Sequence, residues 1–131
     1  MALFGYVSEY DAKKHMARVN FPEKNIVSSW LPVLVPNSQN NHDELHLDIN
    51  EHVACLMLGN GLEQGFILGA IYDEKNLPLV GDKDIRMVKF EDGSTVQYDR
   101  RNHKMQICVQ GDIDILATGN IRIDAKRVDI C

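Results

Sequence analysis

Apolar and polar residues alternate through the last third of the chain, and the alternation repeats every eight residues: GDIDILAT at 111–118, then GNIRIDAK at 119–126. Gly111 and Gly119, Ile113 and Ile121, Ile115 and Ile123, and Ala117 and Ala125 are each eight apart. Alternation at period two puts one set of side chains on each face of a strand. Eight residues supply one strand and a corner, whereas a coil built from one chain needs about twenty or more residues per repeat. The missing sides must then come from other copies. The segment is therefore expected to be one third of an intertwined three-chain β-helix. Its axis would be lined by Ile107, Val109, Ile113, Ile115, Ala117, Ile121, Ile123, Ala125, Val128 and Ile130. Asp112, Asp114, Asn120, Arg122 and Asp124 would face water. Val128 and Ile130 fall one position off the pattern of Ile121 and Ile123, where the repeat either ends or changes phase.

Upstream, the periodicity is also that of strands. Phe4–Ser8 and His15–Phe21 flank the polar run EYDAKK and predict a hairpin. Ser29–Val35 is a third strand, demoted toward an edge by Pro32. The loop 36–44 precedes an alternation of Leu45, Leu47 and Ile49. Val53–Leu58 is a short apolar run of the kind buried on both faces. A GNG turn at 59–61 comes next, and Asn60–Gln64 is the best helical candidate, too short to stand alone. Phe66–Tyr72 is a further strand, with Gly69 marking a bend or bulge. Five or six short strands in this span predict a small OB-type Greek-key barrel. The polar run 73–87 marks a boundary. Val88–Phe90 and Thr95–Tyr98 form a hairpin about the Asp92-Gly93 turn. The expected fold is all-β, with an OB-fold collar at 1–80, a linker or neck at 81–90 and the β-helix at 91–131.

Composition narrows the function. The chain has 131 residues, a formal net charge of −5 and three cysteines. An acidic balance disfavours a nucleic-acid binder, which meets phosphates with a basic field. The one basic cluster, Arg100, Arg101, His103 and Lys104, fits a solvated connection. Cys55, Cys108 and Cys131 lack the paired spacing of a disulfide framework, and Cys55 sits where a small buried hydrophobe belongs. No stretch is long and apolar enough for a membrane span, and the first residues carry no secretory signal pattern. Production in a reducing cytoplasm is expected.

Several segments together resemble a known family. FGYVSEYD, MARVNFP, SSWLPVLVP, INEHVACLMLGNGLEQGFILGAIYDEKNLP and VKFEDGSTVQYD are similar to the baseplate assembly protein V family, the central spike or cell-puncturing proteins of contractile phage tails. The carrying residues are Gly5-Tyr6-Val7, Ser28-Ser29-Trp30-Leu31-Pro32-Val33, Gly61 through Gly65, Leu68-Gly69 and Tyr72, in family order over residues 3 to 125. Asn50-Glu51 departs from the usual Gly-Glu. The resemblance implies a homotrimer in the virion's tail baseplate, assembled in the host cytoplasm. It implies contacts with the tail tube, hub and baseplate proteins, and penetration of the host outer envelope on sheath contraction. Many members end in a His-x-His tip that binds iron on the axis. No histidine follows His103 here, so no cofactor is expected, and a separate tip protein is a candidate partner.

Other chemistry finds little support. His42 and His46 are four apart, a zinc spacing on a helix but not on a loop or strand. Three copies of Cys131 converging on an axis would make a soft-metal thiolate set; a frayed terminal residue is the alternative. No nucleophile motif or phosphate loop is present, and Asp112, Asp114, Glu9 and Asp11 fit solvent-facing positions, so no enzyme activity is expected. Trp30 and Tyr72 fit barrel packing or a trimer contact better than base stacking. The competing functional readings are a monomeric OB-fold nucleic-acid binder and a trimeric spike that attaches to surfaces or sugars.

Overall fold

A computed structural model describes residues 1–59 and 63–131. Among them all regular structure is β, in two antiparallel sheets. The strands are β1 (Ala2–Asp11), β2 (Met16–Phe21), β3 (Ile26–Val27), β4 (Leu31–Pro32), β5 (His52–Met57), β6 (Gly65–Ala70), β7 (Ile85–Lys89), β8 (Thr95–Asp99) and β9 (Lys104–Cys108). The chain divides into Met1–Leu79 and Val80–Cys131.

The N-terminal unit orders its strands β3-β2-β1-β5-β6, and β4 also pairs with β2. Period-two alternation builds its core directly. Ala17, Val19 and Phe21 of β2 and Val53, Cys55 and Met57 of β5 point inward, with Val7, Leu31 and Ile67. The β1–β2 turn is tied by the Asp11 carboxylate, which accepts from the Lys13 and Lys14 backbone N–H groups at 3.0 and 3.3 Å. His15 closes it with φ 54°. Where β1 crosses β2, only glycine fits: a Cβ on Gly5 would lie 2.5 Å from the Asn20 carbonyl oxygen. Ser28 is buried, and its hydroxyl accepts from the Val19 N–H at 3.0 Å and donates to the Ser29 carbonyl at 2.7 Å. A side chain thus takes over part of the ladder where β3 stops.

The anticipated irregularity at Gly69 is a β-bulge. Ala54 pairs with Gly69 but Cys55 pairs with Ile67, leaving Leu68 unopposed, and Gly69 has φ 156°. Three expectations need correction. The alternation of Leu45, Leu47 and Ile49 forms no strand. Only Leu47 packs on the core, and Asp48–Glu51 is a turn in which the Asn50 N–H donates to the Val7 carbonyl at 2.7 Å. Ser29–Val35 shrinks to β4, because Pro32 offers no N–H, and a parallel bridge between Val33 and Ile67 comes directly after it. The expected neck at 81–90 carries β7, whose Ile85 and Met87 alternate with Arg86 and Val88. The GNG turn and the Asn60–Gln64 candidate fall partly on residues 60–62, outside the described residues.

The C-terminal unit is a meander, β7-β8-β9. Beyond β9, residues 109–131 form no strand in this single chain, and all of them are exposed.

Candidate assembly surface

The meander has two unlike faces. Its register places Arg86 opposite Tyr98, Val88 opposite Val96, Val96 opposite Ile107, and Tyr98 opposite Met105. One face therefore gathers Val88, Val96, Tyr98, Met105 and Ile107, all between 36% and 63% exposed. The other carries Thr95, Gln97, Lys104 and Gln106 among Ile85 and Met87. A one-layer sheet with a bare apolar face is not a stable endpoint, because a sheet buries one face against another layer.

The same parity continues in the sequence of the tail. After Ile107 the alternation runs on through Val109, Ile113, Ile115, Ala117, Ile121, Ile123 and Ala125, and Val128 and Ile130 follow one position out of phase. All are exposed in one chain, Ile115 at 70%, Ile123 at 72% and Ile130 at 92%. One chain brings none of these ten residues together around an axis. Sequence reasoning missed their upstream companions Val88, Val96, Tyr98 and Met105. The two-residue spacing of Val88 with Phe90, and of Val96 with Tyr98, was the available signal. Leu116 breaks the pattern: it sits among the polar positions and is 91% exposed.

The meander's turns are firmly built. The Asp99 carboxylate accepts from the Arg101 and Asn102 N–H groups at 2.9 and 3.2 Å and from the Asn102 amide at 2.9 Å. These bonds, the Asn102 N–H foremost, hold its carboxyl below the usual range. At the β7–β8 turn the Ser94 N–H donates to Asp92 at 2.9 Å and lowers that carboxyl likewise. The Ser94 hydroxyl accepts from the Gln110 N–H at 3.0 Å. Among the described residues no backbone hydrogen bond holds the tail beyond that point. Arg100 and Arg101 are engaged by Asp84, at 2.7 and 2.5 Å, so the two arginines of the basic cluster are ion-paired within the chain.

The remaining candidates lie in the N-terminal unit. His46 Nδ1 and His15 Nδ1 both meet the Tyr10 hydroxyl, at 2.5 and 2.7 Å, and His46 Nε2 lies 3.1 Å from the Glu44 carboxylate. One hydroxyl can donate to only one ring nitrogen. With His46 donating through Nε2 to Glu44, its Nδ1 accepts from Tyr10, and His15 donates to the Tyr10 oxygen. The chain clasps the 42–48 loop to the β1–β2 turn. His42 bonds instead to the Gln39 carbonyl. His52 stacks on Tyr6 at 4.7 Å beside a cavity of about 620 Å³ and lies 3.2 Å from Asp73, without hydrogen-bond geometry. Among the described residues no group of three or more His, Cys, Asp or Glu is placed to hold a metal.

Cys55 is fully buried, which pushes its thiol up to about 11, whereas Cys108 and Cys131 are exposed free thiols. Trp30 and Tyr72 are 43% and 69% exposed, so neither is sealed in the N-terminal core. No protein-family model matches this chain, and no curated protein matches it.

Proposed function

We propose that the protein is a homotrimeric central spike of a contractile tail, with N-terminal OB-type barrels and a C-terminal intertwined β-helix. It would cap the tail tube and pierce the host envelope on sheath contraction, and it performs no catalysis. One observation carries this reading. Apolar positions at alternate residues run from Val88 of β7 to Ala125 and stay exposed or partly exposed in one chain, and among the described residues no backbone–backbone hydrogen bond holds the chain beyond Gln110. Bare isoleucines are costly to leave so, and exposed unpaired backbone is a template for pairing with another chain. Threefold intertwining satisfies both, because neighbouring copies supply the hydrogen bonds and the apolar axis.

The pairing of the N-terminal unit supports the collar half. Beyond the sheet path, β4 pairs with β2, and Val33 bridges Ile67 in parallel while the Leu34 N–H donates to the Ile67 carbonyl at 3.0 Å. The segment just after β4 thus lies beside β6 through one parallel bridge. A sheet path with such a link is what a small, partly open Greek-key barrel of the OB type would use. The work of such a spike is mechanical. A rod in which each chain completes its neighbours' ladders has no free edge along which to fray. The functional test is localisation. Antibody against the C-terminal unit should label the distal centre of the baseplate in electron micrographs of intact particles. Label along the sheath, or on no particle, would contradict the proposal.

A further inference from the structure

We infer that Asp114 and Arg122 form an ion pair between different copies of the chain, and that this pair reinforces the eight-residue register of the assembled rod. The inference rests on the intertwined trimer proposed above. Threefold rotation keeps height along the axis constant, so equivalent rungs of the three chains lie level on three faces. When one chain turns its corner, its next rung lies on the face that already holds a neighbour's preceding rung. Residue i of one copy is thus beside residue i+8 of another, about 4.8 Å away along the hydrogen-bond direction. The glycines obey this rule, Gly111 with Gly119, and so do the isoleucines, Ile113 with Ile121 and Ile115 with Ile123.

On the water-facing side the rule sets Asp112 beside Asn120 and Asp114 beside Arg122. The second is an opposite-charge step, made three times around the rod. A slip of two residues, pairing i with i+10, would set Ile113 beside Ile123 but Ile115 beside Ala125 and the axis residue Ala117 beside Arg127. The same slip would set Asp114 beside Asp124, a like-charge pair that opposed strands disfavour. Charge on the water-facing side adds to what the apolar pattern already favours.

The single chain carries the half-made arrangement. Arg122 already reaches Asp124 two residues along its own chain at 3.3 Å, with both side chains more than three-quarters exposed. Asp114 takes part in no ion pair among the described residues and is exposed. A guanidinium has five N–H donors in a planar fork. Arg122 can hold Asp124 in its own chain and Asp114 of the next copy together.

The test is a charge-swap cycle on the full chain: Asp114→Arg, Arg122→Asp and the double swap, each checked for native mass and melted. On a trimeric wild type, each single swap is expected to lower the melting temperature by about 2–4 °C. The double swap should regain most of that loss, and raising the salt to about 1 M should shrink the differences. Asp114→Asn and Arg122→Gln should give smaller losses of the same sign. A trimer whose double swap melts as low as the two singles summed, or whose singles melt like wild type, would overturn the pair while leaving the trimer standing. A monomeric wild type would overturn both.

Discussion

The two halves of this protein use the same period-two alternation and reach opposite ends. In the N-terminal unit the apolar face of β2 and β5 is covered within the chain, and Val7, Ala17, Val19, Leu31, Val53, Cys55 and Ile67 are essentially sealed from water. In the C-terminal unit an equally regular face stays open from Val88 to Ile130. The difference lies in where the chain goes after each strand. Hairpins and a return strand bring β6 and β4 back over the first core. The eight-residue repeats beyond β9 form no strand in one chain and stay exposed. Alternation therefore fixes which face is apolar, and the connections decide whether the same chain can cover it.

The contrast can be broken most completely on the axis. Ile115→Asp is expected to abolish trimer assembly, since three carboxylates would crowd one level of a dry core. Native mass spectrometry would detect it, and an intact trimer from this variant would refute the inward register. The N-terminal unit should keep its fold in that variant. Phe21→Ala should do the converse, costing about 3–5 kcal/mol in the N-terminal core, measured by denaturant unfolding followed at Trp30. Val96→Asp tests whether the meander shares the tail's interface. It should weaken assembly, whereas Gln97→Asp on the opposite face should not. Ser28→Ala removes the acceptor for the buried Val19 N–H and should cost about 1–3 kcal/mol.

The smallest expected effect is acidic. Asp92 and Asp99 have folded pKa values depressed by backbone N–H donors in the meander's turns. Their contribution is complete above the unfolded carboxyl value of about 3.9. It is lost as pH falls through the lower folded values. The protection of the Ser94, Arg101 and Asn102 amides, measured relative to their intrinsic exchange rates, should therefore fall below about pH 4, before the sealed core responds. Unchanged protection there at about pH 3 would contradict this.

Much of the architecture was legible in the sequence. The β1–β2 hairpin, the buried run of β5, the kink at Gly69 and the β7–β8 turn each had a local signature, because turn chemistry and alternation act within a few residues. The errors have a common physical source. Leu45, Leu47 and Ile49 alternate as well as β2 does, yet no neighbouring strand lies beside them to complete a ladder. β7 starts three residues before the expected Val88, because Ile85–Met87 follow the polar GDKD and read as linker. The Tyr10–His15–His46–Glu44 chain joins residues 36 positions apart, which no local pattern announces. Leu116, apolar on the water-facing parity, has no structural explanation in one chain.

The central claim is that the open face is covered by two further copies. The direct measurement is the mass of the purified protein by light scattering, repeated on an SDS gel without boiling. The account predicts a trimer, 3 × 14.9 = 44.7 kDa, that survives unboiled SDS. A monomer of 14.9 kDa would contradict it and leave the apolar face bare in solution.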